Sequence, residues 1–368
     1  MRTAIVSDLH LGSPIGEDLL RDDGIRRMLL AELASADRLV LLGDILELRE
    51  LPLANALERA RPIFEDLGEV MAGRSVVLVP GNHDHHLAEP LLEQQAIEGG
   101  PLQLEQRGDP TAGPVRHIAT WLSGVDLQIA YPGIWLRDDV YATHGHYMDC
   151  HMSLPRIECI AAAVSMRAIG ALPDQCAPAD YERVLRPVYG LAYALAQGGV
   201  TRRITRPSER TWQTIADRNG NASRFRRSLF RAGLPAGIRG LNRLLRAKFD
   251  ASLSPASISR SGIDAASEMA GRLRVQATHL ITGHTHRGGP GKSEAEWTLP
   301  AGGHLHNTGN WVFAAAFHRR DSRPSPFWPG TITWLDESGP PRRSRLLMDR
   351  TYDELAATAA RLSSPDRP

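Results

Sequence analysis

Val76-Val77-Leu78-Val79-Pro80-Gly81-Asn82-His83-Asp84 decides how the chain is read: four apolar residues in a row, then two turn formers and three polar side chains. An unbroken run of valine and leucine that ends at turn residues predicts a strand buried on both faces, as in a parallel sheet. The same grammar occurs twice upstream. Ala4-Ile5-Val6 runs into Ser7-Asp8-Leu9-His10, and Leu39-Val40-Leu41-Leu42 runs into Gly43-Asp44. Between these runs, Ile25, Met28, Leu29 and Leu33 share one face of a helix, and Pro62 opens a second helix carrying Ile63, Leu67, Val70 and Met71. Strand and helix alternate, so an α/β fold is expected, with a parallel sheet covered by helices.

Downstream, strands are predicted at Asp126–Ala130 and Val140–Thr143, the latter leading into His144-Gly145-His146. From 151 to 275 the alternation is lost; helical patterns interrupted by Pro155, Pro173, Pro178, Pro187, Pro207 and Pro235 predict a helical insertion. Strand character returns at His279–Thr282, followed by Gly283-His284-Thr285-His286. Thr331–Leu335 and Arg345–Leu347 predict a hairpin around Ser338-Gly339-Pro340, and Thr351 with Glu354 forms a capping box for a last helix. The expected division is a core of residues 1–150 and 276–350, a helical cap at 151–275, and a C-terminal helix and tail at 351–368.

The 368 residues, 42% hydrophobic, suit about two domains or one enlarged domain and exclude a disordered or collagen-like chain. With 43 basic against 42 acidic residues the whole molecule is no polyanion binder. Residues 201–250 are different: thirteen Arg or Lys stand against Glu209, Asp217 and Asp250, interleaved with Phe225, Leu229, Phe230, Leu241, Leu244 and Leu245. Solvated helix faces, a surface for substrate phosphates or anionic lipid, and nucleic-acid binding are the three readings. Three cysteines without a CxxC fit reduced thiols and a cytoplasmic protein. The longest apolar stretches, Ile160–Met166 and Pro187–Val200, fall short of the roughly 18–20 residues of a spanning helix, which leaves peripheral contact with the inner face of a membrane.

Five polar clusters stand where strands end: Asp8-Leu9-His10, Gly43-Asp44, Gly81-Asn82-His83-Asp84, His144-Gly145-His146 and Gly283-His284-Thr285-His286. Open α/β sheets gather ligands at that edge. Burying three carboxylates, an amide and several imidazoles together is costly unless something compensates them, and metal binding does so directly. Oxygen and imidazole donors without thiolate suit Mn, Fe, Zn or Co. His146 and Asp149 are candidates to line the site, Asn307 and Asn310 read as packing beneath it, and His85 and His86 read as solvent-exposed.

The ordered set Asp-x-His, Gly-Asp, Gly-Asn-His-Asp, His and Gly-His-x-His resembles the calcineurin-like metallophosphoesterase family, over residues 1–150 and 278–335. The resemblance implies a four-layer α/β/β/α sandwich and two divalent metal ions, Mn before Fe, Zn or Co. Asp8, His10, Asp44 and His286 would hold one ion; Asp44, Asn82, His144 and His284 would hold the other. Two such ions clamp a phosphoryl oxygen and lower the pKa of a water between them. His83 would act at the leaving oxygen with Asp84 orienting its ring, and Arg287, His146 and Asp149 are substrate-binding candidates. Within the family, Gly43-Asp44-Ile45-Leu46-Glu47-Leu48, the helical insertion and Gly283-His284-Thr285-His286-Arg287 look like the UDP-2,3-diacylglucosamine pyrophosphohydrolase branch. That branch implies a phosphorylated lipid or nucleotide-linked substrate. His83, where the branch has arginine, and the longer insertion depart from it. A metal-dependent nuclease and a non-catalytic scaffold are the alternative functions.

Overall fold

A computed structural model describes residues 1–199, 236–250, 255–291, 294–299, 302–315, 318, 320 and 325–363. The three runs read first form β1 (Thr3–Val6), β2 (Arg38–Leu42) and β3 (Ser75–Val79), each parallel to the next. Side chains alternate across each strand. Ala4, Val6, Leu39, Leu41, Val76 and Leu78 face one apolar core, and Ile5, Val40, Leu42, Val77 and Val79 face another. Burial on both faces explains why the sequence shows unbroken apolar runs instead of alternation.

The first core is closed by α1 (Asp23–Leu33), through Ile25, Leu29 and Leu33, by α2 (Leu53–Val70), and by α4 (Val115–Trp121), through Val115 and Ile118, while α3 (Glu89–Glu98) buries Leu91 and Leu92 beside Tyr131. Pro62 lies inside α2 and does not open it. The helix starts nine residues earlier because Ala56, Leu57 and Ala60 continue the buried face of Ile63, Phe64 and Leu67. That packing outweighs the backbone hydrogen bond the proline cannot make.

β5 (Asp126–Arg137) joins the two halves of the molecule. Its first residues pair in parallel with β3 and antiparallel with β4 (Glu105–Gly108); beyond Pro132 it pairs antiparallel with β6 (Val140–Thr143). From β6 the sheet continues through β7 (His279–Thr282) and β9 (His304–Asn307) to β8 (Trp297–Thr298). At the opposite edge β1 pairs with β10 (Thr331–Leu335), and β10 with β11 (Arg342–Arg345). The hairpin partner expected at Arg345–Leu347 is thus shifted toward the turn, and Leu347 is buried under the sheet. The sheet curls so that Ile5, Val40 and Val77 of one half meet Ile134, Ala142 and Ile281 of the other.

A third core covers the outer face of the second half. Tyr141, Leu280 and Leu305 pack there against α5 (Ile157–Ile169), α6 (Pro178–Gln197) and the helix Pro255–Arg272, through Ala162, Val184 and Met269 among others. Three apolar cores separate four layers, helix, sheet, sheet, helix. The helix Tyr352–Ser363 starts at the expected capping box: Glu354 Oε2 accepts from the Thr351 backbone N–H at 2.7 Å. The arginine-rich stretch lies outside the described residues from 201 to 235. Among the described residues, no helix is long and apolar enough to cross a membrane.

Candidate metal centre

The expected ligands converge at the carboxyl ends of β1, β2, β3, β6 and β7. Asp8 and His10 follow β1, Asp44 follows β2, Asn82 follows β3, His144 follows β6 directly, and His284 and His286 follow β7. Five of them, Asp8, His10, Asp44, His284 and His286, have φ between 46° and 65°, the left-handed region. Non-glycine residues enter it at a cost and cluster there at functional sites. Two glycines make the convergence sterically feasible. A Cβ on Gly43, itself at φ 80°, would lie 2.3 Å from the His144 ring, and one on Gly81 would lie 2.4 Å from Asp44 Oδ1.

Three groups of donor atoms result, each within 4.8 Å: Asp8, His10 and His286; His10, Asp44 and His83; Asp44, His144 and His284. The imidazoles are fixed from behind. His10 Nδ1 donates to Glu47 Oε2 at 2.9 Å, His144 Nδ1 to the Leu42 carbonyl at 2.9 Å, and His284 Nε2 to Asp149 Oδ1 at 2.8 Å. Each ring therefore turns a lone pair inward. There His144 Nε2 and His284 Nδ1 meet Asn82 Oδ1 at 3.2 and 3.0 Å, and His144 Nε2 meets Asp44 Oδ2 at 3.2 Å. His10 Nε2 and His286 Nε2 face each other at 3.2 Å. Acceptor faces acceptor throughout, a pattern that a cation relieves, and the donor set fits two divalent transition metals sharing Asp44.

The electrostatics agree. Burial pushes the carboxyls of Asp8 and Asp44 up, yet His286 beside Asp8 and His144 beside Asp44 hold both below the ordinary value. Burial likewise opposes charge on His10 and His144, but Glu47 and Asp44 respectively lift them to about 10 and about 9. Protons on these rings are what an incoming cation replaces.

Asp84 does not orient His83. Its Oδ1 accepts from the Gly81 and Asp44 N–H groups at 2.6 and 3.2 Å, and its Oδ2 from those of Ile45 and Leu46 at 2.7 and 3.3 Å. Four backbone donors leave it no lone pair for a ring, and it serves to tie the second polar loop to the third. His83 Nδ1 instead donates to Glu47 Oε2 at 2.7 Å, the same oxygen that receives His10. Glu47 was in plain view three residues after Asp44, but an i+3 carboxylate carries no signal without the loop geometry.

Of the substrate candidates, Asp149 holds His284, and His146 is fully buried with Nε2 3.0 Å from Tyr131 Oη; neither lines the cleft. Arg287 lines a neighbouring cavity, stacked on Trp297 and paired with Glu294 at 2.6 Å. Asn307 donates to the Gly283 carbonyl at 2.6 Å and Asn310 to that of His286 at 2.7 Å, so both support the last histidine loop from beneath. His85, expected at the surface, is buried and donates to Glu182 of α6 at 2.9 Å.

The metal-facing cleft, about 140 Å³, is lined by His10, Asp44, Asn82, His83, His284 and His286. A second cavity of about 330 Å³ shares His286, Arg156 and Val312 with it and is walled largely by apolar side chains, including Met148, Met152, Leu154, Ile263, Trp297 and Phe327.

Residues 1–164 match the calcineurin-like phosphoesterase family, so the N-terminal part of the chain carries that domain, and the domain indicates a metal-dependent phosphoesterase, a hydrolase. No curated protein matches the chain.

Proposed function

We propose that the chain cleaves a phosphodiester or phosphoanhydride bond in a phosphorylated lipid or nucleotide-linked metabolite, using two divalent transition metals, manganese foremost. The observation that carries this is the inward-facing set of oxygen and imidazole donor atoms around Asp44, backed by Glu47, Asp149 and the Leu42 carbonyl. Asp8, His10, Asp44 and His286 would hold one ion, and Asp44, Asn82, His144 and His284 the other. When bound, such a pair polarises the phosphoryl oxygen and makes water nucleophilic near neutral pH. The chain's own residues do the rest. Glu47 fixes the ring of His83, which lines the cleft and would act at the leaving oxygen. Asp84 keeps the two loops in register.

The substrate class rests on the apolar cavity that adjoins the cleft at His286 and Val312, which suits a hydrocarbon substituent near the reacting phosphorus. The narrower likeness to the UDP-2,3-diacylglucosamine branch points the same way. A cytoplasmic enzyme meeting such a substrate at an anionic membrane surface accords with both. The test is hydrolysis after Mn²⁺ loading, first of bis(4-nitrophenyl) phosphate against 4-nitrophenyl phosphate, then of nucleoside diphosphate sugars, lipid phosphates and single-stranded DNA. Absence of any metal-dependent hydrolysis would refute the enzyme. Preference for DNA would refute the substrate class in favour of a nuclease.

A further inference from the structure

Two arginines beside the cleft differ from those that close tight ion pairs. Arg21 meets Asp18 at 2.8 Å, Arg26 meets Asp66 at 2.6 Å and Arg287 meets Glu294 at 2.6 Å. Arg49 and Arg156 are held loosely. Arg49 Nη1 lies 3.3 Å from His83 Nε2 and 3.5 Å from Glu158 Oε1, and Arg156 Nε lies 3.7 Å from Glu158 Oε2. Their side chains are only 18% and 28% exposed, so neither is a solvated surface cation. Two guanidinium charges thus share one carboxylate beside the cleft, and among the described residues neither guanidinium makes a hydrogen bond shorter than 3.3 Å.

Position adds to charge. Arg49 touches Nε2 of His83, a residue that lines the cleft, and a guanidinium has only donors, so His83 Nε2 is the acceptor in this contact. Arg156 borders both the metal-facing cleft and the apolar cavity. Glu158, at the second position of α5, sets the spacing by receiving each arginine on a different oxygen. A group bonded to the phosphorus in the cleft, on the side of His83, would meet both forks at once. Guanidinium forks match phosphate oxygens in geometry and charge.

We propose that Arg49 and Arg156, spaced by Glu158, form a subsite for a second phosphate group of the substrate, beside the one that reacts. This deepens the phosphoesterase reading and rests on it for the position of the first phosphate. It selects phosphoanhydrides over simple diesters. A phosphate leaving group needs charge neutralisation more than a proton, and two arginines supply it where an alkoxide would need His83.

The test is calorimetric binding to the Mn²⁺-loaded full chain of methylenediphosphonate, which presents two linked phosphonates, against methylphosphonate, which presents one. The wild type is expected to favour the diphosphonate by at least tenfold. Arg49→Gln and Arg156→Gln should each reduce that preference about 10-fold or more, the scale of one charge-assisted hydrogen bond. Arg49→Lys, which keeps charge without the fork, should fall between. Thermal unfolding of each variant shows whether it is folded, and the lysine variant serves where the glutamine one is not. Equal affinity for the two probes in the wild type, or an undiminished preference in the folded variants, would overturn the subsite. Hydrolysis of bis(4-nitrophenyl) phosphate by the same preparation reports separately on the phosphoesterase reading.

Discussion

Replacing Glu47 with glutamine should damage metal binding and turnover together while leaving every expected ligand in place. Glu47 is 5% exposed, and its Oε2 receives His10 Nδ1 at 2.9 Å and His83 Nδ1 at 2.7 Å, while Oε1 receives the Arg49 backbone N–H at 3.1 Å. Three donors converge on one carboxylate. A glutamine has a single acceptor atom, so either the two rings or the Arg49 N–H must face an NH₂ group. Hydrogen bonds to a charged group contribute about 1.5–3 kcal/mol each. Losing the partner behind a metal-binding histidine typically costs about 10–100-fold in metal affinity or activity. Glu47→Gln should therefore weaken binding of one of the two ions about 10–100-fold. At saturating Mn²⁺ it should still lower kcat about 10-fold or more, because His83 is no longer fixed. The assay is Mn²⁺ titration by calorimetry, with kcat for bis(4-nitrophenyl) phosphate measured at each metal concentration. A variant within about twofold of wild type in both would show that Glu47 merely fills space. Loss of affinity with full kcat at saturation would leave His10 as its sole business.

Three further outcomes are expected. His83→Ala should lower turnover about 10²–10⁴-fold, the usual range for losing an acid–base group, with metal content unchanged; loss of the metals instead would mark His83 as structural. Asp84→Asn should cost about 2–4 kcal/mol of stability, because an amide set among four backbone donors leaves some of them unpaired; a melting temperature equal to wild type would contradict it. His85 is lifted from 6.5 to about 9, because Glu182 and Glu89 outweigh the burial that opposes its charge. Its stabilising contribution is thus complete below pH 6.5 and is lost as pH rises from there through about 9. At ~1.4 kcal/mol per tenfold change in proton affinity this amounts to roughly 3–4 kcal/mol at most. Thermal unfolding from pH 6 to about 9.5 should show a steeper loss in wild type than in His85→Gln, and parallel curves would refute the pairing.

The strands were legible wherever both faces are buried, because short unbroken apolar runs such as Leu39–Leu42 or Val76–Val79, closed by turn residues, read as buried strands. β4, β8 and β9 were not. Glu105–Gly108 is polar, Trp297–Thr298 is two residues long, and His304–Asn307 alternates histidine with one buried leucine. Their strand character comes from neighbours distant in sequence. The expected ligands were legible because each ends a strand, and strand ends converge by topology. What orients them was hidden for the same reason β4 was. Asp149 reaches His284 across 135 residues, and Glu182 reaches His85 across 97. The reading of Asp84 failed at short range: next to His83 in sequence, it is turned away by backbone N–H groups that a motif does not display.

The central claim, two metals bridged by Asp44 and required for hydrolysis, is tested most directly by counting the metals and the activity together. Protein stripped with chelator and titrated with Mn²⁺ should be inactive when metal-free and should gain bis(4-nitrophenyl) phosphate hydrolysis in step with the second equivalent bound. Asp44→Ala, which removes a donor from two of the three groups at once, should retain neither ion tightly. Activity that survives complete metal removal, or saturates at one ion per chain, would contradict the account.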